Sequence, residues 1–338
     1  MKASAATLWF CGPYLVGVKS LLLSAALLLP LASAQGAPPI TGAAPMLSLS
    51  APVGTGVEYQ TTTTSRTAVS NVQVMALPGS DASAEDLADI KRSLLAGMAG
   101  AGNVTVKGKL FYRVTGRDAG GNVSLLSSVV QSVPGQPPVT LRITQTVARD
   151  GTVGGLKFES DNAALNAAFA GLDPQKLQEL AGQNNANLAG VYGQPLIKGQ
   201  PRSQTVTLDA TGLLSGLLGA FASQADLPAL FGQIQSTPLQ VTTVTTYGGL
   251  NAQGLHTFTQ SSKYDRWQVK LGGSGDLPAM NFELAGGGAS GTQTYRKDGL
   301  PGPLTQKTGQ TMNMTVELDG VQVALTMTVD QSVTATLR

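Results

Sequence analysis

The sequence predicts an α+β protein that is predominantly β, with a strongly curved antiparallel sheet (a half-barrel) and several short amphipathic helices packed on one face. Composition supports this class, because 41 glycines, 12% charged residues and 5% aromatic residues suit sheets with tight turns. Apolar and polar side chains also alternate along most of the chain, as on a strand with one buried face. Asp-Gly pairs separate several of these runs, and Asp-Gly favours the type I′ turn of a hairpin.

The closing stretch, residues 311–337, shows this pattern most clearly. Even-numbered positions are apolar before Asp319-Gly320, and nearly all odd-numbered positions are apolar from Val321 onward. The sequence therefore predicts a β-hairpin whose second strand turns its odd-numbered side chains toward the helices. A straight strand of that length would run roughly 55 Å, so we predict a bend near Asp330–Ser332, where Gln331 occupies an apolar position.

The first residues predict export from the cytoplasm. Lys19 precedes an apolar run, Leu21–Leu31, and Ala32–Ala34 fits the small-residue rule for signal-peptidase cleavage. Residues 1–34 are therefore interpreted as a leader and signal peptide, and a true start near residue 18 is a further hypothesis. The expected location is periplasmic or extracellular.

The position of the cysteine and the balance of charged residues limit the partners that the sequence predicts. Cys11 is the only cysteine, and it precedes the apolar run without a small-residue box, so no lipid anchor is expected there. Lys2 and Lys19 lie in the predicted leader, which leaves 20 basic and 20 acidic residues in the mature chain. No basic patch is visible in the sequence, so nucleic-acid binding is not expected.

The mature chain predicts a flexible lead-in and one β-rich domain. Residues 35–55 are rich in Pro, Ala, Gly and Ser, which is typical of a flexible segment. Residues 56–338 form the predicted β-rich domain. Within it, two similar halves, 56–160 and 200–338, are joined by a predicted helical segment, 161–199. A duplication is one explanation of this similarity, and independently repeated β-meanders are the other.

In the first half, predicted strands flank one predicted helix. The first long strand changes the parity of its apolar residues, so a bulge is predicted near Ser70–Asn71. Ser83-Ala-Glu-Asp86 resembles a capping box, and apolar residues at helical spacing follow it, which predicts a helix ending at Gly100–Gly102. Three further strands are predicted before Asp150-Gly151.

Between the halves and within the second half, the period of the apolar residues changes. Two short helices are predicted between Asp161 and Gly190, and a short strand at Gln204–Leu208. Two more helices follow, and both carry apolar residues over a wide arc that must be covered by sheet or by a ligand. We therefore predict an apolar ligand cavity lined by Leu213, Leu214, Leu217, Leu218, Phe221, Leu230, Phe231 and Ile234.

Catalytic and metal chemistry find little support in the sequence. His256 is the only histidine and falls on the polar face of an alternating strand, so we interpret it as an exposed strand residue and expect no zinc site. Gly286–Gly291 matches G-x-G-x-x-G, but a strand follows it, so no dinucleotide or other cofactor is expected. A hydrolase in which the strand carboxylates Glu159, Glu283 and Glu317 meet in space stays open, although no enzyme activity is expected.

Long amphipathic strands with a few apolar helices resemble the half-barrel of lipoprotein-carrier (LolA-like) envelope proteins, in which helices line a hydrophobic concavity. The strands bounded by Asp-Gly and the Met- and Thr-rich closing hairpin also resemble uncharacterised bacterial secreted β-rich proteins. Both resemblances are architectural. They imply a fold and a broad function, and they imply no particular site residue.

The expected function is that of a non-catalytic exported bacterial envelope protein that binds a lipid or another apolar ligand. The alternative is a structural or interaction module of the cell envelope, with an envelope protein as its partner. A hydrolase or an outer-membrane barrel are further alternatives. The barrel is disfavoured because its strands carry girdles of aromatic residues, which are scarce here. The chain also finishes on Leu337-Arg338, where such barrels usually finish on an aromatic residue.

Overall fold

The structure is a computed structural model that describes residues 45–99, 102–132, 138–148, 151–163, 166, 191–208, 234–272, 279–318 and 320–337. The predicted leader, residues 1–34, lies outside these ranges. The elements in chain order are β1 (Gly56–Ala76), α1 (Ala84–Ala99), β2 (Asn103–Arg117), β3 (Val123–Ser132), β4 (Val139–Val147), β5 (Val153–Ser160), β6 (Pro201–Leu208), β7 (Ile234–Ser236), β8 (Leu239–Leu250), β9 (His256–Tyr264), β10 (Trp267–Leu271), β11 (Ala279–Tyr295), β12 (Pro301–Leu318) and β13 (Val321–Leu337).

The thirteen strands form one antiparallel sheet in the order β5-β4-β3-β2-β1-β13-β12-β11-β9-β8-β6. β11 branches the sheet, because residues 280–284 pair with β10 and residues 287–295 pair with β9, while β7 adds to β10. Within the described part of the chain the sheet is not closed, since β5 and β6 stand at its ends. The predicted fold class, a predominantly β α+β protein with a curved antiparallel sheet, is confirmed. Both predicted halves contribute strands to this sheet, and their common descent stays a prediction.

The central strand β1 contains the predicted irregularity. Its register against β13 shifts between Ser70 and Gln73, and Asn71 has a φ of 53°. Asparagine adopts this left-handed conformation more readily than most residues. The bulge predicted near Ser70–Asn71 is therefore confirmed. It moves the buried side chains of β1 from odd positions, such as Ser65, to even ones, such as Val72.

The predicted closing hairpin is formed by β12 and β13. Leu318 pairs with Val321, which leaves a two-residue connection, and Gly320 has the positive φ of 76° that a type I′ turn requires. The odd-numbered side chains of β13 are the more buried ones, and we call the face of the sheet that they share the inner face. No register shift marks the bend predicted near Asp330–Ser332 in the pairing of β13 with β12 or with β1. The register shift between β1 and β13 lies at Ser70–Gln73 instead.

The helix α1 begins with the predicted capping box. The Ser83 N–H donates to Asp86 Oδ2 at 2.9 Å, and the Asp86 N–H donates to Ser83 Oγ at 3.2 Å, so two N-terminal donors are satisfied. The apolar stripe of the helix packs on the inner face of the sheet through Leu87, Ile90, Leu94, Val321 and Val323. Among the described residues, no helix has the length and apolar character needed to cross a membrane.

Two segments, residues 45–51 and 191–197, cross the inner face at the end that holds Ala335, and we call them the strap. An antiparallel bridge joins Met46 to Pro195, and the Gly193 N–H donates to the Leu47 carbonyl at 2.8 Å. The two segments of the strap are thus hydrogen-bonded to each other as well as packed on the sheet.

The strap corrects the prediction of a flexible lead-in over residues 35–55. The Ser50 and Ala51 N–H groups donate to the Asp298 carbonyl at 2.8 and 3.0 Å. Alternation of apolar residues also gives the segment a buried side, which consists of Leu47, Leu49 and Ala51. Leu47, Leu49 and Ala51 therefore belong to the core, whereas Val53 is exposed, and residues 35–44 lie outside the described ranges.

The predicted helical segment 161–199 is described only in part. Residues 163 and 166 are helical, and the rest of the segment up to residue 190 lies outside the described residues except for 161 and 162. Residues 191–199 form turns and a bridge instead of a helix. The reason is local, since this stretch contains a proline and two glycines with positive φ, Gly193 and Gly199.

Candidate functional site

The inner face is filled at the end that carries the strap, which we call the closed end. Leu47 and Tyr192 of the strap pack with Tyr59, Phe258 and Tyr295, and all five side chains are buried. The rings of Tyr192 and Phe258 both meet Tyr295 edge to face, with centroids 5.7 and 5.5 Å apart. Between the strap and β8 lies a cavity of about 10 Å³, which is room for a single water molecule. This cavity is therefore too small for a larger ligand.

Two tyrosine hydroxyls at the closed end donate hydrogen bonds to residues 299–301, at the start of β12. The Tyr59 hydroxyl donates to the Pro301 carbonyl at 2.9 Å, and the Tyr192 hydroxyl donates to the Gly299 carbonyl at 2.5 Å. Burial raises the pKa of Tyr59 to about 12, and burial also raises the pKa of Tyr192 well above its ordinary value. Both hydroxyls therefore stay protonated at neutral pH and act as donors.

A band of uncharged polar side chains follows the closed end along the inner face. Thr61, Thr63 and Ser65 of β1 are buried, and Gln331 of β13 lies directly opposite Ser65. Farther across the sheet, the hydroxyls of Thr243 and Ser262 lie 2.7 Å apart. Gln331 thus occupies an apolar position of the pattern because its neighbours on this part of the face are polar as well.

Beyond this band, three rows of apolar side chains cross neighbouring strands of the inner face. The first row consists of Trp267, Leu284, Met312, Met327 and Val69. The second row consists of Val269, Phe282, Met314 and Leu325. The third row consists of Ile234, Leu271, Met280, Val316, Val323 and Val74. We call these residues the apolar patch.

Methionine dominates the accessible part of the apolar patch. Four of the eight methionines of the chain lie in it, and Met280, Met312, Met314 and Met327 are all half-buried, as is Phe282. Methionine is unbranched and polarizable, so it fits irregular apolar partners better than branched or aromatic side chains do. No charged or polar residue lies within the three rows, and the second row ends at Ser236 of β7, which pairs with Val269. Such a surface suits contact with an apolar molecule.

A cavity lies at the ends of the same strands, where side chains of both faces border it. Gln235, Lys270, Asn281 and Thr315 stand side by side in one row across β7, β10, β11 and β12. We call the cavity, of about 330 Å³, the rim pocket, and a volume of this order is typical of small-molecule sites. Its lining consists of Gln235, Lys270, Leu271, Gly272, Ala279, Met280, Asn281, Thr315 and Glu317.

Of the predicted cavity residues, only Ile234 lies within the described part of the chain. It opens β7 and pairs with Leu271, so it stands at the end of the third row of the apolar patch. The cavity between helices and sheet stays a prediction, since its remaining residues, Leu213, Leu214, Leu217, Leu218, Phe221, Leu230 and Phe231, lie outside the described residues. Sequence reasoning misses the patch as a site, although alternation does place the methionines of β12 on an apolar face.

His256 is half-buried, in contrast to the exposed position that its parity predicts. It pairs with Tyr295 across β9 and β11, next to the aromatic core, and its Nδ1 lies 3.0 Å from the Tyr247 hydroxyl. Burial lowers the pKa of His256, and the charge of Lys297 lowers it further. The ring is therefore held neutral at pH 7 and forms part of the packing of the closed end.

The carboxylates weighed for a hydrolase each have a local partner. Glu159 pairs with Lys157 and Glu283 with Arg266, both at 2.7 Å, while Glu317 accepts a hydrogen bond from Gln322 Nε2 at 2.9 Å. Within the described residues, no group of three or more His, Cys, Asp and Glu side chains could hold a metal ion. Gly286–Gly291 lies inside β11, as the strand prediction required.

Comparison of the chain with protein families, with curated proteins and with solved structures finds no match. Function is therefore inferred from the geometry of the apolar patch and the rim pocket. The closed end is packed and stabilises the fold, whereas the apolar patch and the rim pocket are accessible to a ligand.

Proposed function

We propose that this protein is a non-catalytic exported envelope protein that binds a lipid or another apolar small molecule on the apolar patch. The observation that carries the proposal is the set of half-buried methionines on an inner face whose two ends are covered by the strap and by α1. The resemblance to envelope lipoprotein carriers, whose concavity is hydrophobic, and the predicted signal peptide support the same function.

The energetics of the patch favour an apolar occupant. Full burial of a methionine side chain contributes about 1.5–3 kcal/mol, and most of each patch methionine is already buried, so covering the rest contributes about 0.5 kcal/mol. That amount corresponds to roughly a twofold change in affinity for each methionine that a ligand contacts. A ligand that covers Met312, Met314 and Met327 together would gain on the order of tenfold.

The direct test uses the purified full chain and an uncharged naphthylamine dye whose fluorescence rises in apolar surroundings. We expect saturable dye binding, and we expect the double variant Met312→Gln, Met327→Gln to raise the dissociation constant at least tenfold. Glutamine nearly keeps the volume of methionine, so the change removes apolar character more than shape. Native mass spectrometry of the purified protein should also detect a bound amphiphile.

Thr328→Gln is the matched control, because Thr328 neighbours Met327 on β13 and points to the opposite face. It should leave dye binding unchanged. Equal dye affinity in the wild type, the double variant and the control, with no amphiphile in the mass spectrum, would show that the patch is not a binding site.

A further inference from the structure

The rim pocket and the apolar patch share two side chains. Leu271 and Met280 belong to the third row of the patch, and both also line the rim pocket. They lie at the ends of their strands, where Leu271 closes β10 and Met280 is the second residue of β11. The apolar patch is therefore continuous with the rim pocket at the ends of these strands. An amphiphile whose chain lies on the patch would place its polar end at the rim pocket.

The rim pocket contains an amide that needs a partner. Asn281 Oδ1 is buried and accepts no hydrogen bond from the described residues, and an acceptor taken out of water without a partner is unfavourable. Asn281 also lines the rim pocket, and the terminal torsion of asparagine is broad, so its amide has the freedom to turn toward a ligand there. A ligand with an N–H or O–H donor would then satisfy it.

Two opposite charges flank this amide. Lys270 precedes Asn281 in the row, and Glu317 lies two residues beyond Thr315, so the Cα atoms of Lys270 and Glu317 are on the order of 12 Å apart. Arg266 is already paired with Glu283 at 2.7 Å. Within the described lining, the pocket therefore carries one ammonium and one carboxylate, with the amide between them.

We propose that the rim pocket binds the head group of a zwitterionic amphiphile that combines a phosphate with a primary ammonium, as phosphoethanolamine does. Lys270 faces the phosphate, while Asn281 Oδ1 and Glu317 accept the N–H groups of the ammonium. The pairing of unlike charges across the pocket disfavours a purely anionic or purely cationic head group. This inference rests on the proposed function, because the acyl chain lies on the apolar patch.

The proposal predicts discrimination between two zwitterions of nearly the same size. A primary ammonium donates three hydrogen bonds, whereas the quaternary ammonium of choline donates none. A choline head group would therefore leave Asn281 Oδ1 unsatisfied, and a buried group left without its partner is the usual source of strong selectivity. A phosphoglycerol head group keeps the phosphate and loses the positive charge that faces Glu317.

The experiment measures binding of three monomeric dodecanoyl lysophospholipids to the full chain by calorimetry, with dodecanol as the uncharged reference. We expect the phosphoethanolamine form to bind at least fivefold more tightly than the phosphocholine and phosphoglycerol forms. Lys270→Gln and Glu317→Gln should each abolish that preference and leave the affinity for the naphthylamine dye unchanged. Lys263→Gln, an exposed lysine on β9, is the matched control and should retain the preference.

Each result decides the proposal. If the three lysophospholipids and dodecanol bind with similar affinity, the head-group site is refuted while the apolar patch stands as the binding site. If neither dye nor lysophospholipid binds, the proposed function fails and the inference with it. Asn281→Leu adds an independent check, since it should remove the preference for ethanolamine over choline. If that variant does not fold, Lys270→Gln decides alone, because Lys270 is exposed.

Discussion

The closed end and the apolar patch occupy the same inner face, yet they are built from different side chains. At the closed end, Tyr59 and Tyr295 of the sheet are buried beneath the strap, and the strap's own Tyr192 is buried with them. Met312 and Met327 in the patch are unbranched and half-buried. The comparison shows that apolar alternation alone does not distinguish a stabilising core from a binding surface. The difference lies in side-chain rigidity and in the segment that covers each part.

Stability should reside mainly at the closed end, and the largest expected effect tests this directly. Tyr192→Ala removes a fully buried ring and its hydrogen bond to Gly299, so we expect a loss of about 3–5 kcal/mol in the free energy of unfolding. Met312→Ala removes a half-buried side chain and should cost about 1 kcal/mol. Urea unfolding followed by circular dichroism measures both values. Equal losses would remove the energetic distinction between the two regions.

The strap can be tested without removing any side chain. Gly299 has a φ of 83°, and a Cβ added there would collide with the backbone of Ser48 and Leu49. Gly79 has the same φ of 83° with no neighbouring atoms, so Gly79→Ala measures the conformational cost alone. We expect Gly299→Ala to be less stable than Gly79→Ala by about 1–3 kcal/mol, because the strap must shift. Identical thermal unfolding of the two variants would mean that the strap is not held in place by this contact.

The local features of the fold are those that the sequence predicts best. The capping box at Ser83, the bulge near Asn71 and the turn at Gly320 each depend on residues within a few positions, so their signals lie in contiguous sequence. The strap depends on contacts between Ser50 and Asp298, which are 248 residues apart. Composition therefore assigned a flexible character to a segment that tertiary hydrogen bonds order.

The candidate site was predictable only in part for a related reason. Alternation places Met312 and Met314 on an apolar face, but the rows that they form with β10 and β11 depend on the register between strands. The rim pocket joins Lys270 to Thr315 through Asn281 in the same way, and no local pattern marks these residues. Register is set by the whole face and by the bulges, so side chains that meet across strands become visible only in the folded sheet.

The closed end and the apolar patch should also differ, by a smaller amount, in how their contribution to stability depends on pH. The pKa of Tyr59 is raised to about 12, because burial disfavours the phenolate, so the stability from its neutral form is complete below pH 10. That contribution is lost as the pH rises from about 10 to 12. Tyr59→Phe should cost about 1 kcal/mol at pH 8 through the lost bond to Pro301, and the gap to the wild type should narrow by pH 11.

Met312→Ala provides the control for this pH dependence. Its side chain does not ionise, so its effect on the free energy of unfolding should be the same at pH 8 and pH 11. Urea unfolding at both pH values measures the two variants side by side. A gap between the wild type and Tyr59→Phe that stays constant up to pH 11 would contradict the raised pKa.

The smallest expected effect lies at acidic pH and concerns His256. Its pKa is lowered from 6.5, first by burial and then by Lys297, so the unfolded chain takes up a proton at a higher pH than the folded one. The stability from the neutral ring is present above pH 6.5 and is lost as the pH falls through the lowered value. We expect the wild type to lose stability relative to His256→Gln between pH 7 and pH 5. Parallel urea-unfolding curves for the two proteins over that range would place His256 outside the packing of the closed end.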